Sequence, residues 1–289
     1  MSENKDSVMR FLFDNHAVRG EIVQLNQSCI SLLENKNYPK SISKLMLELS
    51  AAAVLVATTL KDGSEIMVQI KGGTAAPLKY ALINIRQDLS FYGSAALKEE
   101  RTVDDEASLL SLAGHDGIIV LSVFPKDGEK WQGVVELDPS SVSASLENYF
   151  LNSQQLPTRF FMLSDPDRNL CGGLLLQIIP NQKDNLESLE HLNVLTSTLT
   201  AQELFSLNKH EILRRLFAKE QVRVFAEQFV SYRCICSKDR CQRALEGLRR
   251  QELEALIADG GTEMTCQHCG KTYRFSKEEL QDFFLKVSQ

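Results

Sequence analysis

Five of the seven cysteines of this chain lie close together, between Cys234 and Cys269. They occur as a Cys-x-Cys pair, a single Cys241, and a Cys-x-x-Cys turn that is followed by Gly270. A Cys-x-x-Cys turn presents two sulfurs to one metal. Residues i and i+2 of an extended segment point to the same side, so Cys234 and Cys236 can also share that metal. Zn²⁺ prefers four such ligands in a tetrahedron. The pattern therefore predicts one structural Zn²⁺ per chain, held by Cys234, Cys236, Cys266 and Cys269.

Other ligand sets are compatible with this spacing. Cys241 could replace Cys234, although its position at the start of a helix favours simple packing. His268 is a possible ligand, but beside four thiolates it is more typical of an exposed turn residue. The zinc could also be purely structural, with no switching role. Cys29 and Cys171 stand apart in apolar surroundings, which is typical of buried, unreactive thiols.

The overall composition is that of an ordinary globular protein. A length of 289 residues favours two domains, and the net charge of −6 argues against a protein that mainly binds phosphate backbones. The N-terminus shows no secretory signal, and the apolar stretch from Leu45 to Leu60 contains Glu48 and is too short for a membrane span. We expect a cytoplasmic protein without membrane or nucleic-acid partners. In that compartment, clustered cysteines indicate metal or redox chemistry.

Hydrophobic periodicity predicts an α+β fold for residues 1–180, with a mainly antiparallel sheet and some helices. Helices are expected at residues 39–60 and 141–150. Strands are expected at residues 17–25, 66–70, 80–85, 118–124, 133–137, 159–163 and 173–179.

A different pattern begins after Pro180. Leucines recur every three or four residues from Leu186 to Leu199, and Thr200 with Glu203 forms a capping-box pattern before a second helix. A third helix is expected after Asn208. Residues 181–230 are therefore predicted to be a helical linker, and residues 231–289 a small zinc-binding domain with a helix between its two cysteine pairs.

Metal-bound thiolates are also the form of cysteine that reacts with oxidants. Pairing Cys234 with Cys236 and Cys266 with Cys269 as disulfides needs the least rearrangement of the chain. Structural zinc contributes on the order of 10–16 kcal/mol to small zinc-dependent folds. A whole domain is stable by only about 5–15 kcal/mol. Loss of the metal should therefore unfold the cysteine-rich tail.

The cysteine arrangement resembles that of the bacterial 33 kDa heat-shock chaperonin family. Further likeness lies in four segments, at residues 17–21, 148–150, 153–158 and 172–180. Two positions depart from the family pattern: Gln154 stands where glutamate is common, and Tyr92-Gly93 stands where an Arg-Gly pair is usual. Neither departure touches the cysteines.

The resemblance implies a redox-regulated chaperone that holds unfolding client proteins without ATP and is not an enzyme. In its reduced, zinc-bound state such a protein is inactive. Oxidation pairs the ligand cysteines, expels zinc and unfolds the C-terminal region, and the active form is a homodimer. In such a chaperone the helices between Leu186 and Phe217 would be released, whereas sequence alone favours their packing on a permanent core.

Three other classes of function fit the sequence less well. A nucleic-acid-binding zinc ribbon is the main alternative, but residues 231–289 carry ten Lys or Arg against nine Asp or Glu. A thiol oxidoreductase would place its Cys-x-x-Cys near a βαβ unit. A zinc hydrolase needs an open coordination position, which four thiolates do not leave.

Overall fold

The computed structural model describes residues 6–60, 64–180, 185–245 and 247–287. In chain order the strands are β1 (Ser7–Phe13), β2 (Val18–Leu25), β3 (Glu65–Lys71), β4 (Leu78–Ile85), β5 (Ser90–Leu97), β6 (Ile118–Phe124), β7 (Trp131–Glu136), β8 (Thr158–Asp165), β9 (Leu170–Ile178), β10 (Val222–Val224), β11 (Gln228–Phe229), β12 (Ser231–Tyr232), β13 (Gly261–Thr265) and β14 (Thr272–Ser276). The helices are α1 (Gln27–Leu33), α2 (Lys40–Thr59), α3 (Leu109–Ala113), α4 (Val142–Gln154), α5 (Asn185–Thr196), α6 (Ala201–Ser206), α7 (Lys209–Leu216), α8 (Lys238–Leu245), α9 (Arg250–Ala258) and α10 (Lys277–Val287).

The chain forms two compact units, unit 1 at residues 1–233 and unit 2 at residues 234–289. The described part of unit 1 contains two six-stranded sheets. The first sheet has the order β10-β1-β2-β9-β8, with β11 also paired to β1, and the second has the order β12-β5-β4-β3-β6-β7. Strand β12 runs parallel to β5, and the other paired strands are antiparallel. The expected α+β class with mainly antiparallel sheets is confirmed.

Helix α2 contacts both sheets of unit 1 and shares one apolar core with them. Among the described residues it is the one helix long and apolar enough to cross a membrane, but 72% of that stretch is buried inside the fold. Its run of small and branched residues, Ala51 to Val56, is fully enclosed. Burial of this kind is typical of a core helix, as the sequence predicted.

The opposite face of the first sheet is covered by helices α5, α6 and α7. Alternation along β2 explains how one strand serves both faces: Val18 and Ile22 belong to this second core, whereas Val23 and Leu25 belong to the core around α2. The helices and the residues that follow them contribute a set of buried apolar side chains, namely Leu189, Leu192, Leu199, Leu204, Phe205, Ile212, Leu213 and Phe217. The first sheet is therefore buried on both faces.

Aromatic rings connect the end of α7 to strand β1. The ring of Phe217 lies 4.9 Å from the ring of Phe13 and 5.9 Å from that of Phe11, measured between centroids. The Phe11 ring occupies the space that a side chain at Gly20 would need, because a Cβ placed there would lie 2.1 Å from a Phe11 carbon. Glycine at this position thus lets the ring approach the backbone of β2 closely.

Unit 2 consists of the β13–β14 hairpin and helices α8, α9 and α10. In its described part, four apolar side chains are buried, which are Leu245, Leu253, Phe275 and Leu280. The sequence predicted one helix between the cysteine pairs, and the structure has two. Helix α9 begins after Arg249, whose backbone N–H donates to Glu252 Oε2 at 2.8 Å. Arginine is not a typical N-terminal capping residue, so this second helix start has no clear local sequence signal.

Most of the elements expected in unit 1 are present near the expected residues, with some differences. Pro39 precedes the first turn of α2 instead of lying within it. The leucine-rich helix ends at Thr196, before Leu199, and the chain turns there because Thr200 accepts a hydrogen bond from the N–H of Glu203 to start α6. After α7 the chain returns to the first sheet as β10 and β11.

Some expectations fall partly outside the described residues. The expected absence of a secretory signal concerns the N-terminus, where residues 1–5 lie outside the described residues. The expected boundary after Pro180 is followed by residues 181–184, which also lie outside them. The division into residues 1–180, 181–230 and 231–289 stays a prediction.

Candidate metal centre

Two separate segments of unit 2 bring the four predicted cysteines together. Cys234 and Cys236 lie in an irregular segment directly after β12, and not in a regular strand. Cys266 and Cys269 lie in the turn that connects β13 to β14. The N–H of Cys266 donates to the Lys271 carbonyl and the N–H of Gly270 donates to the Cys266 carbonyl, both at 2.9 Å. Gly270 has a φ of 72°, a left-handed conformation that glycine adopts at little cost.

The four sulfur atoms lie within 4.8 Å of one another. The distance is 3.7 Å from Cys234 Sγ to Cys266 Sγ and 3.4 Å from Cys236 Sγ to Cys269 Sγ. A tetrahedron with metal–sulfur distances of about 2.3 Å has sulfur–sulfur edges of about 3.8 Å. The cluster therefore has the size, the number of ligands and the ligand chemistry that fit one zinc ion.

The sulfur of Cys236 has a hydrogen-bond partner outside the cluster. The hydroxyl of Tyr273 donates to Cys236 Sγ at 3.1 Å. Burial acts to raise the pKa of Cys236, but the hydrogen bonds of Tyr273 and of the other cysteines outweigh it and lower that pKa. Burial raises the pKa of Cys234 and of Cys269. The arrangement favours negative charge on Cys236, where a cation can neutralise it.

Cys241 is not a member of this group of four. It lies in α8, is partly buried and packs against the small core of unit 2. Burial, together with the negative charges of Cys266 and Cys236, raises its pKa. The choice of Cys234 over Cys241 as a zinc ligand stays a prediction.

The sequence suggested that Cys29 and Cys171 stand apart, but in the structure they are in contact. Both are fully buried, and their sulfurs lie 3.4 Å apart. The hydrogen bond between the two thiols and their burial raise the pKa of Cys29. The register of β2 with β9 pairs Leu25 with Cys171, and α1 then brings Cys29 to the same place. Nothing in the local sequence signals this pairing.

A second group of potential metal ligands lies in unit 1 and was also not expected. It consists of His16, His191 and Glu220, whose ligand atoms lie within 4.8 Å of one another. These residues come from distant parts of the sequence, and no local spacing connects them.

Comparison with known proteins identifies the family. The model of the Hsp33 protein family matches residues 6–276. The chain belongs to the Hsp33 family. A 33 kDa chaperonin of Yersinia pestis (strain Pestoides F) is 40% identical over 280 residues, which cover 96% of this chain and 94% of the relative. The 33 kDa chaperonin of Yersinia pseudotuberculosis (serotype O:1b, strain IP 31758) has the same identity and coverage.

The fold of an Hsp33 family member from Thermotoga maritima is similar as well. The crystal structure of that 33 kDa chaperonin superposes with a TM-score of 0.81 and covers 98% of this chain and 100% of its own, at 20% identity. The resemblance predicted from the cysteine pattern and the sheet-domain motifs is therefore confirmed. Membership of the Hsp33 family supports a chaperone role for the chain.

Proposed function

We propose that this protein is a redox-regulated, ATP-independent holdase of the cytoplasm, whose switch is the four-cysteine cluster of unit 2. The observation that carries the proposal is the convergence of four sulfurs, with contacts of 3.4 and 3.7 Å, in a unit with a very small core. In the reduced state Cys234, Cys236, Cys266 and Cys269 would hold one Zn²⁺, which supplies a rigid cross-link between the hairpin and the segment after β12.

Oxidation removes the ligands on which this cross-link depends. Two thiolates and one molecule of hypochlorous acid, with one proton, give one disulfide, chloride and water, so that two electrons pass from sulfur to the oxidant. Two such steps convert all four cysteines. We propose the pairs Cys234–Cys236 and Cys266–Cys269, because each closes within its own segment. A disulfide sulfur is a poor zinc ligand, so zinc would be released.

Unit 2 is poorly equipped to stay folded after that loss. Its described core contains four buried apolar side chains, whereas domains of about 60 residues are marginal even with a full core. Most of its ion pairs, such as Lys238 with Glu279 and Arg274 with Glu263, involve exposed side chains and contribute little. Oxidised unit 2 should therefore unfold.

Client capture requires apolar surface, and unit 1 has several sources of it. Val224 at the end of β10, Phe225 directly after it and Phe229 in β11 are exposed, with Phe229 69% exposed. A larger apolar face of the first sheet lies beneath α5, α6 and α7. We propose that oxidation exposes part of this surface to unfolding client proteins, and that the active form is a homodimer. The names of the chaperonin relatives support this role.

A single titration tests the proposal. The reduced protein is treated with increasing hypochlorite, and zinc release and the aggregation of a thermally unfolding client are measured in the same samples. Zinc release and suppression of aggregation should rise together, and dithiothreitol should begin to reverse them. Cys241→Ser should behave like the wild type, whereas Cys269→Ser should lose tight zinc binding. Equal suppression by the reduced and the oxidised protein would refute the switch.

A further inference from the structure

A cluster of two imidazoles and one carboxylate joins three separate segments of unit 1. His16 lies in the turn between β1 and β2, His191 lies in α5, and Glu220 lies between α7 and β10. His16 Nε2 is 2.9 Å from Glu220 Oε2, and His191 Nε2 is 3.0 Å from Glu220 Oε1. Each oxygen of one carboxylate thus faces a different imidazole.

Neighbouring side chains hold this cluster in place. Asn15 Nδ2 donates to Glu220 Oε2 at 2.8 Å, and His16 Nδ1 lies 3.0 Å from Ser188 Oγ. The second nitrogen of a metal-bound histidine usually has such a partner, which orients the ring and fixes its tautomer. In His16, Nε2 therefore faces the carboxylate of Glu220, while Nδ1 is hydrogen-bonded to Ser188.

The cluster is buried on one side and open on the other. The side chains of Glu220 and His16 are 9% and 18% exposed, whereas that of His191 is 50% exposed. A carboxylate enclosed in this way favours a cationic partner, since its solvation by water is reduced. The exposed edge at His191 provides an entry path for an ion and room for water ligands.

We propose that His16 Nε2, His191 Nε2 and the Glu220 carboxylate form a binding site for a divalent transition-metal cation, separate from the cysteine cluster. Two imidazoles and one carboxylate are a ligand set that binds Zn²⁺ and Fe²⁺ in proteins, with water in the remaining positions. Imidazole ligands disfavour Mg²⁺ and Ca²⁺, which prefer oxygen. No catalysis is implied.

Such a cation would connect the helices on the outer face of the first sheet to the sheet itself. His191 belongs to the first of these helices, Glu220 follows the last, and His16 belongs to the β1–β2 turn. A ligand that binds the folded form stabilises it in proportion to the logarithm of its concentration over its dissociation constant. The bound cation would therefore stabilise the packing of α5–α7 on the sheet, in both the reduced and the oxidised state of the cysteines.

The test is zinc binding by the full-length, reduced protein, measured by equilibrium dialysis together with thermal unfolding. We expect two zinc ions per chain, with the second lost or weakened at least about tenfold in His191→Ala and in Glu220→Gln. Added zinc beyond the first equivalent should raise the unfolding temperature of the wild type and not of these variants. The control His115→Ala, at an exposed histidine elsewhere in unit 1, should bind two ions.

The possible outcomes separate this proposal from the cysteine switch. If the wild type binds a single zinc ion, at the cysteines, the proposal is wrong. The cluster of His16, His191 and Glu220 is then only a set of hydrogen bonds that connects three segments. Retention of the second ion by His191→Ala and Glu220→Gln would overturn the assigned ligands. Because His191 is half exposed, its replacement should leave the fold intact, which circular dichroism checks. Loss of the first zinc in cysteine variants would leave the second site measurable.

Discussion

The hydroxyl of Tyr273, on β14, donates a hydrogen bond of 3.1 Å to Cys236 Sγ, 37 residues earlier in the chain. Hydrogen bonds of this kind stabilise a thiolate and orient it toward a metal, and their removal typically weakens metal binding by about 10–100-fold. We expect Tyr273→Phe to lower zinc affinity within this range. Competition with a chromophoric chelator measures the change.

The control for this experiment is Tyr80→Phe, which removes a tyrosine hydroxyl from β4 in unit 1. It should leave zinc affinity unchanged. Equal zinc affinities of the wild type and Tyr273→Phe would show that the hydroxyl does not act on the metal site.

The pattern of oxidised cysteines is a second prediction. Two short contacts in the cluster join sulfurs of different segments, Cys234 with Cys266 at 3.7 Å and Cys236 with Cys269 at 3.4 Å. Disulfides in those pairs would keep the hairpin attached to the segment after β12, whereas the pairs Cys234–Cys236 and Cys266–Cys269 would free it. We expect the latter pairs, and peptide mapping under non-reducing conditions identifies them. Cross-paired disulfides would contradict unfolding by release of the hairpin.

The cysteines outside the cluster should remain thiols. Seven cysteines are free in the reduced protein, and oxidation of four leaves three, Cys29, Cys171 and Cys241. Cys29 and Cys171 are fully buried, and the raised pKa of Cys29 reduces its thiolate fraction. Alkylation of the oxidised protein in denaturant should therefore label three residues. A Cys29–Cys171 disulfide would show instead that the core of unit 1 opens to the oxidant.

A buried lysine should be important for the attachment of α7. Lys209 Nζ donates to Ser7 Oγ at 2.6 Å and to Glu227 Oε2 at 3.1 Å, and its side chain is 4% exposed. Lys209→Ala removes both hydrogen bonds, and we expect it to lower the free energy of unfolding by about 1–3 kcal/mol. Urea denaturation measures the loss. The exposed control Lys219→Ala should change stability by less than about 0.5 kcal/mol.

Glu48 should make stability depend on pH. Burial on α2 raises its pKa, although Lys44 and the hydroxyl of Ser164 act in the opposite direction. An acid with a raised pKa in the folded state contributes stability below its unfolded pKa, and this contribution is lost as the pH rises through the folded value. Glu48→Gln carries no charge, so its stability relative to the wild type should increase as the pH rises above the ordinary glutamate pKa of about 4.3.

Urea denaturation at a series of pH values tests this expectation. The control Glu99→Gln, at an exposed carboxylate, removes the same charge from the surface. If both variants change in parallel with pH, the effect belongs to net charge and not to the burial of Glu48.

Local patterns in the sequence predicted those parts of the structure that depend on neighbouring residues. The cysteine motifs, the capping box at Thr200 and the cap at Asn208 all act over a few residues, and each is found in the structure. The sequence did not predict contacts that depend on how strands and helices are aligned with one another. The Cys29–Cys171 pair and the cluster around Glu220 form only because separate strands and helices are placed side by side, and no spacing along the chain encodes this.

The missed elements have similar causes. Strand β1 has the sequence SVMRFLF, and a short apolar run of this kind does not distinguish a buried strand from a helix. Strands β10 and β11 are only three and two residues long, and they exist because β1 offers an edge to pair with. Tertiary pairing, and not intrinsic preference, determines such short strands.

Helix α2 packs on both sheets, so the two sheets share one apolar core in the interior of unit 1. Separation of either sheet from α2 would expose the core that the other sheet also uses, so we expect this interior to unfold as one cooperative unit. The second core has no such constraint, because α5, α6 and α7 cover the first sheet from outside. Loss of that outer layer would uncover one face of the first sheet and leave the core around α2 in place. The side chains of the second core would then add to the hydrophobic surface that Val224, Phe225 and Phe229 already expose, while unit 1 keeps its architecture.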